Sequence, residues 1–307
     1  MHGVGLTALP GNLIKLSRGY YEARRILREF QPDVMFFTGG FVAVPMALAG
    51  LKQRSLLYVP DIEPGIALKA LSRFADVIAL TSETSKGFFN PAKRMVVTGY
   101  PTRSDLTRVA RDEALKTFDL SEELPVLLVI GGSKGAHSLN QAIFDNLATL
   151  LQRVQVLHIT GQLDWEIAKD AKAKLPAPLA ERYIAHPYLH EEISTAFSSA
   201  TVVLSRAGAS TLGELPLFGL PAILVPYPYA WRYQKVNADH LVRHEAAICL
   251  KNEDLNAKLV GVLNDILTNK EKLASMSTNM HALATPSAAA KIADLLFELG
   301  SRKEGLK

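Results

Sequence analysis

Val126-Leu127-Leu128-Val129-Ile130-Gly131-Gly132-Ser133-Lys134-Gly135-Ala136 is the stretch that decides the fold. Five apolar residues follow one another without alternation, so the strand they predict is covered on both faces, as in a parallel sheet. The glycines stop the strand, and a helical pattern follows. Such a strand–turn–helix lets backbone N–H groups come close to an anion, and the helix start adds about half a positive charge. Ser133 can add a hydroxyl bond and Lys134 a point charge. The spacing is neither that of a Walker A loop nor that of a dinucleotide fingerprint. A phosphate cradle and a plain tight turn both remain open.

Other apolar runs repeat the pattern at Val34–Phe37, Ser55–Val59, Val77–Thr81, Arg94–Thr98, Val154–Thr160, Thr201–Ser205, Ala222–Pro226 and Ala247–Leu250. Helical stretches separate most of them, which predicts doubly wound α/β architecture. The segment Val34–Leu51 carries no charge. Gly39-Gly40 and Pro45 divide it into strand, turn and helix rather than one membrane span. The chain passes through Gly99-Tyr100-Pro101 into a charged helix predicted over Asp105–Phe118. The expected division is therefore residues 1–105, 106–286 and 287–307, the last helix returning to the first domain. That first domain opens on a helix, Asn12–Phe30, where a doubly wound domain normally opens on a strand, so one βαβ unit is expected to be missing.

The chain has 307 residues, 48% hydrophobic and 21% charged, a balance that supports a core in each of two domains. A net charge of +4 suits an anionic substrate or membrane face and does not mark a nucleic-acid binder. The single cysteine, Cys249, rules out an internal disulfide and is expected to be a buried thiol in a reducing compartment. No signal peptide is read at the start. In Asn12–Phe30, Leu13, Leu16, Tyr20, Ala23, Leu27 and Phe30 form an apolar stripe. Lys15, Arg18, Arg24, Arg25 and Arg28 load the remainder, so the helix reads as a core-facing surface helix or as one lying on anionic lipid.

Two further motifs follow buried strands. In Ser205-Arg206-Ala207-Gly208-Ala209-Ser210-Thr211-Leu212-Gly213-Glu214, small residues open a helix and a carboxylate sits one turn in. Glu214 can accept two ribose hydroxyls, with Ser210 and Thr211 reaching phosphate or sugar; equally, Ser210 and Glu214 can form a capping pair. Val225-Pro226-Tyr227-Pro228-Tyr229-Ala230-Trp231-Arg232-Tyr233-Gln234-Lys235-Val236-Asn237-Ala238 ends a strand in an aromatic loop and opens a helix with amides that can read sugar hydroxyls. His158 reads as a satisfied core histidine. No histidine shows metal spacing, and no Asp-x-Asp occurs, so neither metal nor cofactor is expected.

Gly-Gly-Ser-x-Gly-Ala, Ser-Arg-Ala-Gly-Ala-x-Thr-x-x-Glu, Gly-Leu-Pro-Ala-x-x-Val-Pro and Gln-x-x-Asn-Ala, in this order, resemble the MurG family of glycosyltransferase family 28. The resemblance implies a GT-B fold of two Rossmann-like domains and an inverting transfer of N-acetylglucosamine from a UDP-sugar donor to a lipid-linked acceptor. It implies a cytoplasmic, membrane-peripheral enzyme. It implies that Gly132, Ser133 and Lys134 cradle the diphosphate and that Arg103, in Gly99-Tyr100-Pro101-Thr102-Arg103, faces it. Leu189 falls where the family's backbone reads uracil and Thr211 where it meets a phosphate. Glu214 is placed on the ribose, Tyr233 and Gln234 on the sugar, and Gly39-Gly40 on the acceptor side.

Three features depart from the family; one is its His-Glu-Gln-Asn segment, replaced near Tyr58-Val59-Pro60-Asp61-Ile62-Glu63-Pro64-Gly65. Its first glycine loop, Gly-Gly-Thr-Gly-Gly-His, is not in this sequence, and its paired glutamines read Tyr233-Gln234, which bears on sugar selectivity. Asp61 and Glu63 are the candidate general bases; a turn former and a solvated charge are the competing roles. The alternative functions are a related glycolipid glycosyltransferase, a UDP-sugar epimerase, or a UDP-sugar-binding fragment that needs the missing segment.

Overall fold

The computed structural model describes residues 9–132, 136–229 and 233–301. In chain order the elements are α1 Leu9–Phe30, β1 Val34–Phe37, α2 Ala43–Ala49, β2 Arg54–Val59, α3 Ile66–Leu71, β3 Val77–Leu80 and β4 Arg94–Val97. Then come α4 Arg111–Thr117, β5 Val126–Ile130, α5 His137–Leu150, β6 Gln155–Ile159, α6 Trp165–Ala173, α7 Ala177–Ala180, β7 Tyr183–His186, α8 Ile193–Ser199 and β8 Val202–Ser205. The chain continues through α9 Thr211–Phe218, β9 Ala222–Leu224, α10 Tyr233–Arg243, β10 Ala247–Cys249, α11 Leu255–Thr268, α12 Lys270–Ala282 and α13 Ala288–Ser301. Two compact units result. One holds the chain up to Tyr100 and from Ser287 onward; the other holds Pro101–Pro286.

The first unit is a parallel sheet in the order β1-β2-β3-β4. Its strands are apolar on both faces because both are covered. Phe37, Leu57, Val59, Ile78 and Leu80 pack with Ala43 and Ala47 of α2 and Leu68 and Leu71 of α3. On the opposite face Leu56, Tyr58, Val77 and Ala79 meet Ile292, Leu295 and Leu299 of α13. Arg94 clasps Glu298 at 2.9 and 2.6 Å at the margin of that contact. The uncharged stretch that begins at Val34 is therefore β1, a turn and α2. Among the described residues no helix is long and apolar enough to cross a membrane.

The second unit is a six-stranded parallel sheet, β10-β9-β8-β5-β6-β7. Leu127, Val129, Val156, Val202 and Leu204 are fully buried, with Leu139, Ile143 and Leu147 of α5 and Leu259, Leu263 and Ile266 of α11 in the same core. Each such side chain contributes about 1.5–3 kcal/mol on burial.

Four expectations need correction. Among its described side chains the α1 stripe is buried only at Ala23 and in part at Tyr20 and Leu27, whereas Leu16 and Phe30 are exposed. A Cβ placed on Gly19 would lie 3.2 Å from Cγ of Pro45, so α1 meets α2 closely there through a residue without a side chain. The charged helix begins at Arg111, not Asp105. Serines of α8 take the backbone groups before it: Ser194 Oγ donates to the Asp105 carbonyl, and the Val109 N–H donates to Ser198 Oγ. Tyr183–His186 is an edge strand that no apolar run announced, because only Tyr183 is buried and the other three are partly exposed. Cys249 is half-buried rather than buried, on the edge strand β10, and desolvation pushes its thiol up.

Candidate functional site at the switch point of the second sheet

Strand β5 is the first strand of the second sheet. The chain then builds outward on one side through β6 and β7, and on the other through β8, β9 and β10. The crevice beyond the carboxyl ends of β5 and β8 is therefore the topological switch point, where open α/β sheets bind ligands. The two small-residue motifs flank it. After β5, Gly132 sits at φ +92°, a backbone that a side chain strains, and α5 opens at His137. After β8, residues 206–210 lead into α9. Both helices thus direct their N-termini, with their partial positive charge, to this end of the sheet.

A buried arginine ties the crevice walls together. Arg206 is 8% exposed. Its Nη1 donates to the Val225 carbonyl at 2.9 Å and to Asn252 Oδ1 at 3.0 Å, and its Nη2 donates to Ser138 Oγ at 2.6 Å. Ser138 also donates to Asn252 at 2.8 Å, and the guanidinium lies 5.4 Å from the Tyr227 ring centre. One side chain thereby links the start of α5, the end of β8 and the residue after β9. Burial pushes the guanidinium pKa down, against the nearby Tyr227. The motif reading had given Arg206 no role. An arginine directly after a buried strand was the available signal, since a buried cation needs several acceptors.

Glu214 lies on the first turn of α9, partly buried. Desolvation raises its pKa, while a hydrogen bond from Ser210 and the charge of Arg103 oppose that shift. Ser210 makes no side-chain bond to the helix backbone, so its hydroxyl serves the carboxylate rather than capping α9. The structure therefore brings Arg103, Ser210 and Glu214 together, with Arg103 also 3.1 Å from Asp105. Thr211 is buried, and its hydroxyl donates to the Gly208 carbonyl at 2.6 Å, so that proton is already engaged. Gln234 Oε1 accepts the Tyr227 N–H at 2.8 Å, which pins the aromatic loop to the start of α10. Tyr233 is the first residue of that helix. Leu189 is buried in the loop after β7, between Tyr188 and His190, whose rings pack edge to face at 4.6 Å. Ser133 and Lys134 lie outside the described residues.

The remaining candidates belong to the first unit. Gly39 and Gly40 follow β1 at φ +116° and +88°, ahead of the exposed Phe41 and Val42. Glu63 is 5% exposed and 3.5 Å from Lys69 Nζ, so it is a buried, paired carboxylate and not a solvated one. Asp61 is partly exposed near Tyr58, whose hydroxyl burial pushes up. Among the described residues no group of three or more His, Cys, Asp or Glu is placed to hold a metal ion.

A polar network runs behind β5 and β6. His158 is fully buried, with Nδ1 2.9 Å from Tyr183 Oη and Nε2 2.9 Å from Asn140 Oδ1. Burial lowers its pKa to about 3, so the ring is neutral near pH 7. Asn140 donates to the Thr160 carbonyl and to Asp164 Oδ2, both at 2.7 Å. Asp164 Oδ1 lies 2.9 Å from His137 Nδ1.

Two units built on parallel sheets, the second with paired helix starts at its switch point, define the GT-B class of fold. The family model of the glycosyltransferase family 28 C-terminal domain matches residues 126–295. A UDP-N-acetylglucosamine--N-acetylmuramyl-(pentapeptide) pyrophosphoryl-undecaprenol N-acetylglucosamine transferase of Desulforamulus reducens is 37% identical over 300 residues, covering 94% of this chain and 79% of that protein. The crystal structure of Acinetobacter baumannii MurG superposes with a TM-score of 0.76 at 25% identity, over 93% of this chain and 79% of that one. A UDP-GlcNAc 2-epimerase from Neisseria meningitidis, solved with UDP-GlcNAc, shares the fold alone, at TM-score 0.67 and 12% identity over 92% of this chain and 81% of that one. The chain belongs to the MurG family of glycosyltransferase family 28.

Proposed function

We propose that this chain transfers N-acetylglucosamine from UDP-N-acetylglucosamine to a lipid-linked acceptor with inversion, the reaction named for its relatives. The observation that carries the reading is the switch-point crevice, where two helix starts face the same end of the sheet and Glu214 stands beside them, its charge favoured by the Ser210 hydroxyl and by Arg103. The helix starts and Arg103 suit a diphosphate, and Glu214 suits a pair of ribose hydroxyls. An acceptor hydroxyl attacks the anomeric carbon as UDP departs, and fixed donors stabilise the charge that grows on the diphosphate. Gln234, whose oxygen is held by the Tyr227 N–H, presents its NH2 end to a sugar.

In the first unit Asp61 is the better-placed base of the two candidates, because Glu63 is buried against Lys69. The exposed Lys15, Arg18, Arg24, Arg25 and Arg28 of α1 support contact with an anionic membrane face on the cytoplasmic side. Flotation with vesicles containing anionic lipid tests this contact, and binding that ignores lipid charge refutes it. Calorimetric titration with UDP and with UDP-N-acetylglucosamine tests the donor site. Glu214→Ala is expected to weaken UDP by at least about a hundredfold, the worth of a pair of hydrogen bonds to a charged group at about 1.5–3 kcal/mol each. Undiminished affinity in that variant rejects the ribose role, and failure of the native chain to bind either nucleotide rejects the site.

A further inference from the structure

We propose that His137, oriented by the buried carboxylate of Asp164, is a further contact to the donor's diphosphate. The inference rests on the donor-site reading above and adds a residue to it.

Every proton in the network behind β5 and β6 has one consistent position. The neutral His158 ring carries one N–H, and its Nε2 faces Asn140 Oδ1, which only accepts. Nε2 therefore holds the proton, and Nδ1 accepts from the Tyr183 hydroxyl. Asn140 spends its two N–H groups on the Thr160 carbonyl and Asp164 Oδ2. Reversing the Asn140 amide would set its NH2 against the His158 N–H and its oxygen against two acceptors, so the orientation is locked. Asp164, 5% exposed, then takes its second bond from His137, whose Nδ1 must carry the proton because a carboxylate has none to give. The other ring nitrogen, Nε2, lies on the far side of a side chain that is 70% exposed.

The position of this ring matters. His137 is the first residue of α5, the helix that follows the glycine turn of β5, and its neighbour Ser138 is held by Arg206. Four buried polar side chains thus end on an exposed imidazole at the start of the helix that follows β5. A core network satisfied for its own sake could end on water; this one fixes the plane of an exposed ring beside a helix N-terminus. A diphosphate offers only acceptors, so a contact from Nε2 needs a proton there as well as on Nδ1. Uridine has no such group and gains nothing from it.

The test is the ratio of UDP to uridine affinity, measured by calorimetry on the full chain. His137→Gln is expected to lower UDP affinity roughly tenfold and leave uridine unchanged, and His137→Arg, which keeps a cation, restores most of the loss. Asp164→Asn is expected to weaken UDP when His137 is present and to have little further effect in the His137→Gln background, as a residue acting through another must. An unchanged UDP-to-uridine ratio in His137→Gln overturns the inference, and so does an Asp164→Asn loss that persists in full without His137. His137 is exposed, so its variants fold, and they decide the matter even if Asp164→Asn does not fold. A native chain that binds uridine and UDP equally, or neither, removes the donor-site reading first.

Discussion

Arg206→Ala tests whether the crevice is held together as described. Three bonds of 3.0 Å or less would be lost, to Val225, Asn252 and Ser138. Hydrogen bonds to a charged group contribute about 1.5–3 kcal/mol each, so the gross loss is about 5–9 kcal/mol. Two effects offset it. The guanidinium no longer has to be desolvated, and Ser138 and Asn252 keep their own 2.8 Å bond. The Val225 carbonyl keeps no such substitute partner from this cluster. The net cost should be about 3–4 kcal/mol, of which leaving the Val225 carbonyl without this donor accounts for about 1–3 kcal/mol. Ser138→Ala deletes two contacts, to Arg206 and to Asn252, and leaves the guanidinium two others, so about 2 kcal/mol is expected. Urea denaturation followed by circular dichroism measures both variants. A cost below about 1 kcal/mol for Arg206→Ala, or equal costs for the two, refutes the clamp.

Two predictions concern other parts of the chain. His158 titrates near 6.5 when unfolded and near 3 when folded, so the unfolded chain takes up a proton that the folded one refuses. Stability present above pH 6.5 is lost as pH falls towards 3, by about 1.4 kcal/mol per pH unit at the steepest and at most about 5 kcal/mol in all. His158→Gln should flatten that slope in urea titrations between pH 6.5 and 4, and an unchanged slope argues against the buried neutral ring. Leu295→Ala removes a side chain of α13 buried against the first sheet and should cost about 2–4 kcal/mol; a thermal midpoint equal to that of the native chain shows that α13 is not seated there.

Much of the architecture was legible because its signal is local. Val126–Ile130 and Val34–Phe37 are strands to the residue, since a strand buried on both faces needs an unbroken apolar run. Tyr183–His186 was missed because an edge strand relaxes that demand. The α4 start was misplaced because hydroxyls from α8, some 90 residues away, decide where backbone bonds go. The candidate site divides in the same way. Glycine turns and Glu214 show themselves in sequence, since each needs a particular residue type at a fixed offset. The Arg206–Ser138–Asn252 cluster does not, because its members are 46 to 114 positions apart and each is an ordinary polar residue alone. Asp164 and His137 stayed hidden for the same reason.

The seat of α13 has a consequence for how the chain reaches this state. Leu56, Tyr58, Val77 and Ala79 are synthesised early, but the helix that shields them ends at Ser301. At five to twenty residues per second, the roughly two hundred intervening residues take about ten to forty seconds to emerge. Throughout that interval one face of the first sheet is bare, while all of Pro101–Pro286 can already have condensed. Of the two units the first is therefore the later to be completed, and its open apolar face is the surface a holding chaperone would meet.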